Sequence, residues 1–174
     1  IYNSLEEIVK QFTEEIQKLK KNDFVVCCLD SKTIKDNLSE WRKLSEATFI
    51  TYGINKEADI KVISRETDDQ GLQCISLESE DFGDFKCMTV LSGAYNANNI
   101  AGIFGISQIL MIDKVKLAAA ISRFKGLKRR QEEKFDNGGI TVIEDFAHHP
   151  TAVKETILGI KEKYPNRPLL AIFE

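Results

Sequence analysis

The sequence predicts an α/β fold that combines parallel strands, a small antiparallel sheet and helices, and three observations support it. The continuous apolar run Phe24–Leu29 has the composition of a strand buried in a parallel sheet, and Phe49–Gly53 is predicted as the next strand. Short alternating runs between 60 and 90, separated by turn residues, indicate an antiparallel meander. The β-branched run Ile140–Ile143 leads through a polar turn into a helical pattern, which predicts a second α/β unit.

The first 53 residues read as helix, strand, helix and strand. An apolar stripe predicts an amphipathic helix from about residue 4 to 20, and its members are Leu5, Ile8, Val9, Phe12, Ile16 and Leu19. Asp30 and Ser31 follow the first strand and offer caps for a short helix before the strand Phe49–Gly53. This order predicts a parallel pair of strands joined by a crossover helix.

The middle of the chain changes from long apolar runs to short predicted strands separated by turns. Strands are predicted at Ile60–Ser64, Leu72–Leu77 and Phe85–Val90, with turns whose glycines suit positive φ. The nearly uniform apolar run Ile100–Met111 predicts a buried helix. Asp113 is then a candidate cap for an alanine-rich helix that extends to Phe124.

A hinge before a second domain is predicted at 124–127, and it divides the chain into residues 1–124 and 125–174. In the second part, Pro150 suits the first position of a helix, because its missing N–H would be unpaired there. The turn that starts at Asp145 should therefore end at His149. An apolar run at 169–173 predicts a strand that completes a βαβ unit.

Composition narrows the classes of function. The chain has 174 residues and a formal net charge of −3, which offers no general attraction for nucleic acid or an anionic membrane. The four cysteines lack CxxC spacing, so we expect reduced thiols and no cysteine metal site. We find no signal peptide and no apolar run of the roughly 20 residues that a bilayer requires. These features predict a cytoplasmic protein. Because the chain starts at Ile1 without Met and stops directly after an apolar run, we also expect an excised piece.

Asn96 and Asn99 lie three residues apart, so they share one face of a helix near its start. Paired amides can hydrogen-bond the edge of an adenine as donor and acceptor together. Asn is also among the best N-caps, so helix capping is the alternative interpretation.

The basic run Lys128–Arg130 has two interpretations. A guanidinium binds phosphate oxygens with two hydrogen bonds, which makes Arg130 a candidate phosphate ligand. Runs of charge are also typical of solvated surface, and Glu132 and Glu133 follow directly.

One acid and two histidines follow the strand Ile140–Ile143. Asp145 could hydrogen-bond ribose hydroxyls, as acids do at strand ends in other nucleotide sites. His148 and His149 could act on phosphate charge or in proton transfer, or simply start a helix. Adjacent residues rarely turn both rings toward one ion, so we predict no metal site here. The sequence also contains no GxxxxGK[ST] loop, so a nucleotide site in this chain would be half a site.

The segments 124–132 (FKGLKRRQE) and 145–153 (DFAHHPTAV) resemble the Mur ligases of peptidoglycan metabolism. The segment 92–99 (SGAYNANN) is similar to the G-x-H-N-x-x-N stretch of that family, with Tyr95 in place of the usual His. The resemblance extends over essentially the whole chain. The residues at 145–153 most resemble those of the branch of the family that uses the murein tripeptide L-alanyl-γ-D-glutamyl-meso-diaminopimelate. The branch that uses L-alanine usually has Tyr-Gly at 146 and 147.

The resemblance implies a division of the chain between two domains. Residues 1–124 would be the later part of the central ATP-binding domain, and residues 125–174 the linker and the first βαβ of a Rossmann-like C-terminal domain. The phosphate loop and the Mg²⁺ ligands would lie outside this chain, which alone would be inactive. Without the contacts that the rest of such a ligase would supply, the two parts should be free to reorient about Lys125.

It also implies site residues and a reaction. Asn96 and Asn99 would contact adenine, Arg130 the nucleotide phosphates and Asp145 the ribose, while His148 would be the catalytic histidine. The enzyme would use ATP to join UDP-N-acetylmuramate to the tripeptide through an acyl phosphate, in peptidoglycan recycling. Its partners would be these small molecules, without nucleic acid, membrane or an obligate protein partner. The alternatives are a ligase specific for L-alanine and a non-catalytic binding module.

Overall fold

The computed structural model describes residue 2 and residues 4–172 of the chain. Five helices and seven strands are present in the described residues: α1 (Leu5–Ile16), β1 (Phe24–Cys28), α2 (Lys32–Leu44), β2 (Thr48–Gly53), β3 (Ile60–Thr67), β4 (Gln73–Glu78), β5 (Phe85–Thr89), α3 (Ala94–Ile109), α4 (Lys114–Arg123), β6 (Glu132–Asp136), β7 (Thr141–Glu144) and α5 (Pro150–Lys163). No helix among these is long and apolar enough to cross a membrane.

Side-chain caps begin most of the helices where the sequence predicts them. The Ser31 side chain accepts a hydrogen bond from Ile34 N at 3.5 Å, and the Asp113 carboxylate accepts one from Lys116 N at 3.0 Å. Helix α5 begins at Pro150 with His149 as its N-cap, as predicted. These starts are determined by a few neighbouring residues, which is why the sequence alone located them.

Strands β1 to β5 form one mixed sheet in sequence order. β1 with β2 and β2 with β3 are parallel, whereas β3 with β4 and β4 with β5 are antiparallel. The predicted meander is therefore confirmed, but it continues the parallel strands and is not a separate sheet. Asp59, directly before β3, connects that strand to β2. Its carboxylate accepts hydrogen bonds from Thr51 N and Thr51 Oγ1, both at 2.7 Å.

Helix α3 packs on this sheet and forms the main core. Phe104 is fully buried and stacks on Phe85 with 4.8 Å between the ring centroids. A Cβ on Gly105 would lie 3.0 Å from the Ile60 side chain, so glycine lets the helix approach the sheet closely. The four cysteines are free, and burial raises the pKa of Cys27 and of Cys87 to about 11, which keeps both as thiols.

The second part departs from the prediction in two places. Strand β7 confirms the strand predicted at Ile140–Ile143. Its pairing with β6 in an antiparallel hairpin was not predicted, although Asn137-Gly138 is a hairpin signal. The strand predicted at 169–173 is wrong over 169–172, and Phe173 lies outside the described residues. Leu170 and Ile172 are 85% and 88% exposed. A strand needs a neighbour for its backbone hydrogen bonds, and none among the described residues pairs with this segment. The βαβ unit is therefore incomplete.

The two parts are packed against each other. The Arg65 guanidinium forms two hydrogen bonds with the Glu162 carboxylate, one of them 2.9 Å between Nη2 and Oε1. A Cβ on Gly159 of α5 would lie only 3.2 Å from Gly93 Cα at the start of α3. These contacts count against the expectation that the parts reorient freely about Lys125.

Candidate functional site

A cavity of about 1090 Å³ lies where α3 and α4 meet the linker and the start of α5. Its apolar lining, which we call the floor, includes Ile100, Gly102, Ile106, Leu117, Ile121 and Phe124. Its polar lining, which we call the rim, includes Tyr95, Asn99, Arg130, Asp145, His149 and Thr156. An apolar floor with a few polar groups is typical of a site for a small organic ligand.

Four of the five predicted site residues line this one cavity. Asn96 and Asn99 reach it from α3, whereas Arg130 and Asp145 reach it from the linker and the turn after β7. The fifth, His148, is not among the lining residues. The fold therefore brings together the candidate adenine, phosphate and ribose contacts.

The two asparagines have different surroundings. Asn96 is 7% exposed, and its Nδ2 donates a hydrogen bond of 2.8 Å to the Ser92 carbonyl. Asn99 is exposed, and no hydrogen bond to its amide is found among the described residues. The N-cap of α3 is Gly93, which has no side-chain cap, so neither asparagine caps the helix. Asn99 is thus the amide that is available to a ligand.

Tyr95 occupies the cavity rim at the position where the resemblance predicts histidine. Burial raises the pKa of its hydroxyl, and the charge of Asp145 raises it further, while hydrogen bonds to Asn96 and Thr156 act in the opposite direction. The hydroxyl is therefore neutral at ordinary pH.

The Asp145 carboxylate is largely occupied by hydrogen bonds from the protein. Its Oδ2 accepts from Gln131 N at 2.8 Å, and its Oδ1 accepts from Ala147 N at 2.7 Å and from Thr156 Oγ1 at 3.3 Å. A carboxylate has about four acceptor positions, so roughly one is left for a ligand. Asp145 therefore fixes the linker and the turn before α5.

The linker presents Arg130 at the cavity. Its neighbours Arg129 and Gln131 have φ values of 58° and 49°, a left-handed conformation that is uncommon for residues with side chains. Arg129 pairs with Glu144 at 3.1 Å between Nε and Oε1. Arg130 is exposed and has no ion pair with any described residue, although its guanidinium lies 5.4 Å from the Phe146 ring centroid. Its charge is available to an anionic ligand.

The two histidines differ in their position relative to the cavity. His148 is exposed, its Nδ1 lies 3.0 Å from the Phe146 carbonyl, and its ring meets the Phe146 ring edge-on at 5.2 Å. His149 lines the cavity, and its Nδ1 accepts a hydrogen bond of 3.3 Å from Thr151 N as the cap of α5. The interpretation as a helix start is confirmed for His149. The catalytic role of His148 stays a prediction.

Several residues of the site were not predicted. Ala152, Glu155 and Thr156 line the cavity from one face of α5, and their helical spacing could have revealed them. Gln131 does not line this cavity but is bonded to Ser92 and to Asp145, and no local signal marks it because both partners are distant in sequence. The described residues contain no cluster of three or more His, Cys, Asp or Glu side chains that could hold a metal ion.

Comparison with known proteins gives three findings. The Mur ligase middle domain matches residues 1–106. The UDP-N-acetylmuramate–L-alanine ligase of Clostridium tetani is 30% identical over 173 residues, which are 99% of this chain and 37% of that protein. The structure of UDP-N-acetylmuramate–alanine ligase from Thermotoga maritima is similar with a TM-score of 0.75 at 22% identity, covering 94% of this chain and 35% of that one.

A complex of FPGS with AMPPCP and folate is also similar, with a TM-score of 0.75 at 15% identity over 93% of this chain and 39% of that one. At these low identities the two structural likenesses show the fold alone. The chain spans little more than a third of the length of each of these proteins.

Proposed function

Since this chain belongs to the Mur ligase family, we propose that the whole protein is an ATP-dependent ligase that joins an amine to the carboxyl group of UDP-N-acetylmuramate. The observation that carries the proposal is the convergence of Asn99 and Arg130, an exposed amide and an exposed unpaired guanidinium, on one largely apolar cavity. The L-alanine ligase from C. tetani supports the same reaction class.

The residues of the cavity fit part of an ATP molecule. The apolar floor suits a flat base, and Asn99 offers both a donor and an acceptor to its edge. The Arg130 guanidinium can bind phosphate oxygens, and the spare acceptor position of Asp145 can take a ribose hydroxyl. The FPGS structure that holds AMPPCP, an analogue of ATP, supports a nucleotide in this fold. Because the chain has no GxxxxGK[ST] loop, these residues would supply only one side of the site.

In the proposed reaction, the γ-phosphoryl group of ATP passes to the muramate carboxylate and ADP is released. The amine then attacks the acyl phosphate, displaces inorganic phosphate and loses a proton as the amide forms. Arg130 would stabilise the charge on the phosphates, and Mg²⁺ would accompany them. His148 is our proposed catalytic histidine. Its ring lies outside the cavity lining, so this role requires a side-chain rotation or a movement of the second part.

The amine substrate is best proposed as L-alanine. The C. tetani relative carries L-alanine in its name and matches 99% of this chain. The second candidate is the murein tripeptide, and it is favoured by Phe146-Ala147, which stand where the L-alanine branch usually has Tyr-Gly. With the tripeptide, the enzyme would act in cytoplasmic peptidoglycan recycling.

The test uses the full-length protein with ATP, Mg²⁺ and UDP-N-acetylmuramate. Phosphate release is measured with L-alanine or with the tripeptide, and the product is identified by its mass. Turnover that depends on L-alanine supports the first proposal, and turnover that depends on the tripeptide supports the second. Nucleotide binding without turnover with either amine would indicate the non-catalytic binding module.

A further inference from the structure

We propose that Gln131 is a positioning residue that couples the two sides of the cavity and holds Arg130 at its rim. The kinetic part of this inference rests on the proposed function, because it concerns the use of ATP. The structural part concerns only contacts within the chain.

Gln131 is bonded to both parts of the molecule. Its side-chain Oε1 accepts a hydrogen bond of 2.9 Å from Ser92 Oγ in the first part, and its backbone N–H donates one of 2.8 Å to Asp145 Oδ2 in the second. The Ser92 carbonyl in turn accepts from Asn96 Nδ2 at 2.8 Å, and Asp145 accepts from Thr156. A continuous chain of hydrogen bonds therefore runs from α3 to α5 through Gln131.

Arg130 lies between two residues whose backbone N–H groups are hydrogen-bonded. The left-handed backbone of Arg129 and Gln131 is unfavourable unless the surroundings hold it. Glu132 Oε2 accepts from Arg129 N at 2.8 Å, and Asp145 accepts from Gln131 N. Arg130 stands between these two fixed residues. The bond between the Gln131 side chain and Ser92 attaches this segment to the first part, so its loss should let the guanidinium move away from the cavity.

The surroundings of the amide argue against a packing role alone. Gln131 Nε2 is buried and has no hydrogen-bond partner among the described residues, beside the close contact of Gly93 and Gly159. A buried donor without a partner is unfavourable, and an apolar side chain of similar size would avoid it. The amide is explained by the bond that its Oε1 makes with Ser92.

The test compares four variants of the full-length protein: Gln131→Met, Ser92→Ala, the double variant and the control Gln70→Met, which makes the same change at an exposed turn residue. Hydrogen exchange is followed in peptides that cover 125–132 and 145–150. The kinetic measurement is KM and kcat for ATP, and melting temperatures identify any variant that fails to fold. The two single variants and the double variant form a double-mutant cycle, which isolates the interaction between the Gln131 and Ser92 side chains.

We expect each single variant to increase exchange in both peptides and to raise KM for ATP about tenfold, with kcat changed less than about threefold. The double variant should be no worse than the stronger single variant, and Gln70→Met should match the unmodified protein. Unchanged exchange in Gln131→Met, or effects that add in the double variant, would overturn the inference. Absence of turnover in the unmodified protein would count against the proposed function instead, and hydrogen exchange alone would then decide the role of Gln131.

Discussion

Residues 4–124 bury aliphatic and aromatic side chains between α3 and a five-stranded sheet, whereas residues 125–172 contain one hairpin and one helix, and only Gly159 among these is buried. The first part holds its cavity residues on a packed helix. The second holds Arg130 and Asp145 through hydrogen bonds in a linker and a turn. The comparison indicates that the first part supplies stability, and that the second depends on contacts with it for the placement of its site residues.

The largest effect should come from the core of the first part. Phe104→Ala removes a fully buried ring that stacks on Phe85, and should lower the free energy of unfolding by about 3–5 kcal/mol. The matched change Phe135→Ala, at a residue of the second part that is 52% exposed, should cost well under about 1 kcal/mol. Denaturant unfolding of both variants measures the contrast. Equal losses would show that the second part is as firmly packed as the first.

The second part should matter more for ligand binding than for stability. In the full-length protein, Arg130→Ala should raise KM for ATP by about 10–100-fold, because a charged hydrogen bond to phosphate is lost. Arg123→Ala removes a comparable exposed guanidinium from the end of α4 and serves as the control. Melting temperatures should be the same for both variants. A KM for ATP that Arg130→Ala leaves unchanged would remove Arg130 from the proposed site.

Gly159→Ala tests the contact between the parts. The added Cβ would lie 2.9 Å from Gln131 Nε2 and 3.2 Å from Gly93 Cα, so we expect a loss of about 1–3 kcal/mol in the free energy of unfolding. Gly139→Ala is the control, because its Cβ would meet only the Asn137 side chain at 3.5 Å. Hydrogen exchange of the linker should rise in the first variant alone. If Gly159→Ala is neutral, the two parts do not depend on this close packing.

The smallest effect should come from the ion pair between the parts. Hydrogen bonding to Glu162 raises the pKa of Arg65, and the two side chains are 29% and 35% exposed. Arg65→Met should therefore cost no more than about 1 kcal/mol, and less at high salt. Lys32→Met, which breaks the exposed pair with Asp36, should cost nothing measurable by denaturant unfolding. A loss above about 2 kcal/mol for Arg65→Met would make this pair the main connection between the parts.

The sequence by itself determined the features that depend on near neighbours. The caps at Ser31 and Asp113, the start of α5 at Pro150 and the strands of the first part follow from side chains within a few residues. The spacing of Asn96 and Asn99, the basic run that contains Arg130 and the turn that contains Asp145 also marked four residues that line the cavity. These predictions held because helix starts and buried strands are local.

Tertiary structure alone decided the features that need a distant partner. Residues 169–172 have the composition of a strand but lack a neighbouring strand among the described residues, and Asp145 gives most of its acceptor positions to Gln131, Ala147 and Thr156. The turn geometry placed His149, and not His148, at the cavity. The Gln131 side chain accepts a hydrogen bond from Ser92 only because the fold brings these two residues together. In each case the partner is supplied by the folded chain, so no short window of sequence contains it.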